Sequence, residues 1–288
     1  MNYELKFGPA GNSLSFFEMG YKSSVSAFEY LDKLGLTAYE YQCGRGVRIS
    51  DESASQIKSE AEKHGIAVSL HAPYYISMSS VEPEKRDNSV KYILESAAAV
   101  SKMGGNRIVI HTGSAGKIDR DEAMLLAADT MKKAIKALDN AGFSHIHMCP
   151  ETMGKAGQLG TLEEVVMLCL LDDRIIPCVD FGHLNARSCG GLKSKADFEE
   201  VFDYIEDKLG NNRMKMLHCH FTKIEYTDKG EKKHLTFEDD KFGPDFEPFI
   251  EICLQKDIKG VIICESDGTQ AEDARLMMFH HKQLTINN

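Results

Sequence analysis

The chain is 288 residues long, 42% apolar, and carries a formal net charge of −10. Its length accommodates two small domains or one α/β barrel of about 250 residues, and the absence of any run of about 18 apolar residues argues against a membrane-spanning helix. The acidic balance is not the footprint of a nonspecific nucleic-acid binder, although metal ions gathered at one place would reverse the field locally.

Apolar runs and amphipathic stretches alternate along the chain. Residues 5–9 form the first candidate strand and 24–34 the first helix. A second strand over 37–42 precedes a helix over 53–64. Gly65 is placed to end that helix, because glycine takes the left-handed conformation easily. Strand three is 66–72, followed by a long helix over 84–103. Strand four, 107–112, leads into a helix over 120–141. Strand five, 145–151, stops at Pro150-Glu151-Thr152 and runs into a loop with Gly154, Gly157 and Gly160. A helix over 162–171 follows. Strand six is 175–181, with a helix over 196–209. Strand seven is 214–220, and a long polar connection over 223–243 separates it from a helix over 246–256. Strand eight, 260–265, and a helix over 270–282 complete the pattern. Eight such units predict an α/β fold: a single (β/α)8 TIM barrel formed by residues 1–288. The eight cysteines include no CxxC pair. Cys149, Cys178, Cys219 and Cys264 each lie inside an apolar run and read as buried thiols of a reducing compartment. With no basic-then-apolar leader at the N-terminus, a cytoplasmic location is expected.

Barrel strands converge at their C-terminal ends, where this fold carries its chemistry. There the predicted strands deliver His71, His111, Glu151, Asp180 and, three residues on, His183. His218, His220 and Glu265 follow, and His234 lies in the loop after strand seven. One histidine at a strand end is ordinarily a hydrogen-bonded structural residue. So many imidazoles and carboxylates on one rim would bury charge without purpose unless metal ions neutralise it. These donors suit zinc, manganese or iron(II). Glu151 has the two oxygens needed to bridge a metal pair. His220 is on the same side of its strand as His218, one step farther out, so its role stays open. His64 falls at a helix end, His145 at a strand start, His147 inside the barrel or at its wall, and His280 and His281 in the last helix, all outside this rim.

The stretches HAPYYISMSS, VIHTGS, PETMGKAGQLGT, VDFGHLNAR, MLHCHFTK and ICESDG occur in this order between His71 and Gly268. In them the chain resembles the endonuclease IV family of apurinic/apyrimidinic endonucleases, within the xylose-isomerase-like barrel superfamily. The resemblance implies a zinc centre of two or three Zn2+ per chain, with Mn2+ or Fe2+ as alternatives. His71 and His111 would bind the first metal, and Glu151 would bridge first and second. Asp180, His218 and Glu265 would complete the second; His183 and His234 would bind the third. Where the family carries an aspartate two residues before the last histidine, this chain has Lys232, which cannot ligate while protonated. Glu231 or Asp228 would then have to supply the missing oxygen.

The implied activity is hydrolysis of the phosphodiester 5′ to an abasic site in DNA, a repair reaction, by a monomer with no membrane partner. Glu151 and Glu265 would be the catalytic carboxylates, the first holding the metal pair and the second orienting the attacking water. Tyr74, the family's tyrosine after His-Ala-Pro, would fill the gap left by the displaced nucleotide, with Tyr75 beside it. Arg45, Lys117, Lys155, Arg187 and Lys223 fall in or near loops of the active face and would meet phosphates. The alternative is a sugar isomerase or epimerase of the same superfamily, which needs only Glu151, Asp180, His218 and Glu265 around one divalent metal.

Overall fold

A computed structural model describes residues 4–287. Its strands are β1 (Lys6–Pro9), β2 (Ala38–Gln42), β3 (Ala67–His71), β4 (Arg107–Ile110), β5 (His147–Pro150), β6 (Cys178–Asp180), β7 (His218–Phe221), β8 (Ile224–Thr227), β9 (Gly230–His234) and β10 (Val261–Cys264). Two parallel arcs, β1-β10-β7-β6 and β2-β3-β4-β5, make up the wall. Single parallel bridges from Ala10 to Glu40 and from Glu151 to Cys178 join the arcs. The (β/α)8 barrel expected from the sequence is therefore present, with β10 as its eighth strand.

The sequence explains the closure. β4 (RIVI) and β10 (VIIC) are buried at every residue, with barrel interior on one side and helices on the other. That is why they read as continuous apolar runs instead of alternating ones. A Cβ on Gly8 would stand 1.8 Å from the Ala38 carbonyl oxygen, so only glycine lets β1 approach β2 this closely. The outer helix Asp51–His64 starts at Ser50, whose Oγ accepts the Ser53 N–H at 3.1 Å, and ends at Gly65 with φ 66°. Among the described residues, no helix is long and apolar enough to cross a membrane. The eight cysteines are free thiols, all buried except Cys189.

Three departures from the expected elements bear on the site. β7 begins at His218, because Asn211–Lys215 forms a short helix where the strand was expected to start. Met214 is buried from that helix, and a short apolar run does not by itself distinguish the two states. A helix over Phe181–Arg187 follows β6 directly; Asp180 caps it, its Oδ1 accepting the His183 N–H at 2.7 Å. The polar connection after β7 contains the antiparallel hairpin β8–β9.

Candidate metal centre

β5 ends at Pro150 and leaves Glu151 at the mouth, its side chain almost fully buried. Oε2 lies 3.3 Å from His71 Nε2 and 3.2 Å from His111 Nε2. Oε1 lies 3.4 Å from His183 Nδ1 and 3.3 Å from His220 Nδ1. One carboxylate is thus shared by imidazoles from four different strand ends. Burial opposes its ionisation, but bonds from these histidines outweigh that and hold its carboxyl well below the usual range.

Three sets of ligand atoms gather around it, each within 4.8 Å: His71, His111 and Glu151; Glu151, Asp180, His220 and Glu265; and His183, Glu231 and His234. The ring nitrogens are already sorted. His71 Nδ1 lies 3.0 Å from the Ala72 carbonyl, and His183 Nδ1 lies 2.9 Å from the Thr152 carbonyl, pairings that only an N–H can make. Each leaves Nε2 free as a ligand, the usual arrangement of metal-binding imidazoles. Asp180 Oδ2 and His234 Nδ1 are buried without a hydrogen-bond partner. An orphaned buried acceptor such as Asp180 Oδ2 is costly, and a divalent cation at the Glu151–Asp180–His220–Glu265 set would satisfy it. The donor sets therefore fit metal ions, with nitrogen and oxygen ligands of the kind zinc, manganese and iron share.

The third set depends on an irregularity. In the β8–β9 ladder Glu225 pairs with Lys233 and Tyr226 with Glu231, leaving Lys232 as the extra residue of a bulge. A bulge resets the side-chain alternation of its strand. Glu231 and His234 therefore both turn inward, while Lys232 turns out to bond Glu225 at 2.5 Å. Glu231 Oε2 lies 3.4 Å from His183 Nε2. The glycine-rich loop makes room for this. A Cβ on Gly154 would stand 2.6 Å from Glu231 Cβ and 2.9 Å from His183 Cδ2, and Gly154 accepts the Glu231 N–H at 3.1 Å. Asp228 is exposed at the hairpin turn, away from this set.

Other expected residues need correction. His218 does not reach Glu151: its Nε2 bonds Glu40 Oε2 at 2.9 Å, deep in the barrel. His220, one inward step nearer the mouth, takes the expected position among Glu151, Asp180 and Glu265. Lys223 is buried and bound to the Asp239 carbonyl at 2.6 Å and to Asp245 at 3.1 Å, so its ammonium is not free for a phosphate. Arg187 donates to the carbonyls of Met153, Lys155, Ala156 and Gln158 and organises the glycine-rich loop instead. Arg45, Lys117 and Lys155 are exposed. Tyr74 and Tyr75 are exposed, with ring centroids 5.7 Å apart. Glu40 was not anticipated. It sits in β2, where an acidic residue between two tyrosines looks like a surface position, yet it is fully buried.

Proton occupancy of the metal-free cluster gives a testable pH dependence. Burial disfavours the charged form of His71, but Glu151 outweighs it and raises the pKa to about 9. For His183, burial is outweighed by Asp180 and Glu151, and the value rises to about 10. In the unfolded chain both release their protons near 6.5. Their contribution to the metal-free fold is therefore complete below about pH 6.5 and is lost as pH rises through 9 and 10. Metal displaces these protons, so its uptake strengthens over the same window. The melting temperature in chelator should fall between pH 6.5 and 9.5, while the gain from added zinc grows. A chelator-treated protein that becomes more stable over this range would contradict the protonated cluster.

A profile described as xylose isomerase-like TIM barrel matches residues 28–280. The chain belongs to that family. An uncharacterized protein of Methanocaldococcus jannaschii is 30% identical over 284 residues, covering 98% of this chain and 100% of its own. A probable endonuclease 4 of Acholeplasma laidlawii is 29% identical over 163 residues, 55% of this chain and 53% of that protein. The chain thus aligns with only about half the length of that relative. Among solved structures, a D-tagatose 3-epimerase-like protein superposes with a TM-score of 0.75 at 18% identity, covering 98% of each chain. Endonuclease IV from Thermus thermophilus superposes with a TM-score of 0.69 at 18% identity, covering 99% of this chain and 100% of that one. At such identities the structural likeness speaks for the fold. The family and the probable endonuclease 4 relative bear out the resemblance carried by the sequence motifs. The chain is an enzyme of the xylose isomerase-like superfamily.

Proposed function

We propose that the chain is a metal-dependent phosphodiesterase that cleaves DNA on the 5′ side of abasic sites. The observation that carries this reading is the third ligand set. His183, Glu231 and His234 face one another beside Glu151, and a one-metal isomerase has no use for them. Bound divalent ions would polarise a phosphate ester and lower the pKa of water to about 7. The chain's own residues do the rest. Glu151 spans the first two sets and fixes their separation. Glu265, with Oε1 3.4 Å from His220 Nδ1, stands beside the same pair and orients the attacking water. Arg45, Lys117 and Lys155 offer exposed cations to the flanking phosphates. Free, buried thiols suit a cytoplasmic enzyme.

Tyr74 and Tyr75 make an exposed aromatic edge just past His71. Replacing a side chain that stacks on nucleic acid costs about 1–3 kcal/mol. Tyr74→Ala is therefore expected to weaken binding to abasic duplex by that amount with metal content unchanged. Equal affinities of variant and wild type for abasic and intact duplex would count against the DNA-inserting role.

A sugar epimerase is the second reading. It is supported by the set Glu151, Asp180, His220 and Glu265, which is sufficient alone for one metal, and by the fold likeness to the epimerase-like protein. Elemental analysis of protein purified without added metal, paired with a nicking assay on a duplex carrying one abasic site, separates the two. Two or three metals per chain with incision 5′ to the lesion support the nuclease. One metal and no incision favour the epimerase.

A further inference from the structure

Glu40 is a fully buried carboxylate that no step above uses. Its Oε2 accepts from Ser69 Oγ and from His218 Nε2, each at 2.9 Å. Its Oε1 accepts from Gln42 Nε2 at 3.2 Å. The same Oε1 lies 3.1 Å from His220 Nε2, at ion-pair distance though not aligned as a hydrogen bond. Burying such a carboxylate among histidines gives the fold little, since apolar side chains of similar volume commonly serve as well or better.

The other cluster histidines suggest what it does. His71 and His183 each turn one nitrogen to the cluster and commit the other to a backbone carbonyl. His220 turns Nδ1 to the cluster, 3.3 Å from Glu151. No carbonyl receives its Nε2; Glu40 stands there instead. Ser69 and His218 fix the carboxylate from the opposite side, which accounts for His218 lying below the cluster.

We propose that Glu40 is a positioning residue for the metal centre: its charge, 3.1 Å from Nε2 of His220, holds the ring proton on that nitrogen and so keeps Nδ1 as the free ligand aimed at Glu151, Asp180 and Glu265. Being charged, Glu40 also makes that imidazole a stronger donor than a carbonyl partner would. The inference rests on the reading of His220 as a metal ligand, and its test separates the two.

Metal-free wild type, Glu40→Gln and the double variant Glu40→Ala/His218→Ala would be titrated with Zn2+ against a chromophoric chelator, then loaded with Co2+ for visible absorption. The double variant removes Glu40 together with the imidazole bonded to it, leaving neither partner orphaned, so it decides the matter if Glu40→Gln gives no cooperative melt. Both variants are expected to bind the metal of the Glu151–Asp180–His220–Glu265 set about 10–100-fold more weakly, the scale of losing a ligand's supporting partner. Their Co2+ bands should shift, while the His183–Glu231–His234 step keeps its affinity. A merely structural role would lower the melting temperature without moving the cobalt spectrum. Wild-type affinity and spectrum in a folded variant would overturn the proposal. A wild type that takes up no metal would overturn the metal-centre reading itself.

Discussion

Glu151→Gln should leave the barrel folded and reduce turnover about a hundred- to a thousandfold, on the scale of removing a group that stabilises charge at the reacting centre. The side chain is almost completely enclosed, with His71 and His111 on one oxygen and His183 and His220 on the other. Glutamine has nearly the same volume, so packing survives. Its amide is neutral and presents only one acceptor oxygen, so it cannot serve two cations, or the imidazoles on both of its sides, at once. The metal-free variant should also lose the mutual support between carboxylate and histidines, so that the pKa values of His71 and His183 drop toward 6.5. Turnover and metal content would be measured together, with histidine titrations followed by NMR. Wild-type turnover at unchanged metal content would remove Glu151 from the centre of the reaction.

What the sequence disclosed depended on which residues carry a periodic signal. β4 and β10 were legible because strands covered on both faces are apolar throughout. Glu151 was legible because an apolar run halts there against a glycine-rich loop. The choice between His218 and His220 was not, because both point into the barrel and alternation cannot say how high on the strand each stands. Only the strand start decides it, and Met214 lies in a short helix, not in β7. A hint was available in Gly210-Asn211-Asn212, a loop-like break just before that segment. Glu40 was missed because its flanking tyrosines were not recognised as the outward face. Tyr39 packs beneath helices, edge-on to Phe28, so Glu40 must point inward. The hairpin was hidden by its polarity, although Thr227-Asp228-Lys229-Gly230 is a turn-forming sequence. The bulge at Lys232 has no signature in residue type, so counting two residues back from His234 points to Lys232, although the register shift turns Glu231 inward instead.

That bulge leads to a pair of opposite expectations. Lys232→Asp should change neither metal content nor resistance to a chelator, whereas Glu231→Gln should lose one metal per chain. Lys232 is more than half exposed and pairs with Glu225 on the outer face of the hairpin. An exposed pair of this kind contributes about 0–1 kcal/mol, and an aspartate there would project outward, away from His183 and His234. Glu231 lies on the inner face, 3.4 Å from His183 Nε2 and 4.0 Å from His234 Nε2. Its backbone is tied to Gly154, and Gly230 fits there because a Cβ on it would stand 2.1 Å from the Gly154 carbonyl oxygen. The amide of Glu231→Gln keeps the shape but removes the anionic oxygen from the set. Affinity at that site should fall by more than the roughly 10–100-fold that follows loss of a ligand's supporting partner. Elemental analysis and a zinc-chelator titration on both variants would read this directly. Extra metal in Lys232→Asp, or full metal content in Glu231→Gln, would mean that β9 runs in the unbulged register and that position 232, not 231, faces the third site.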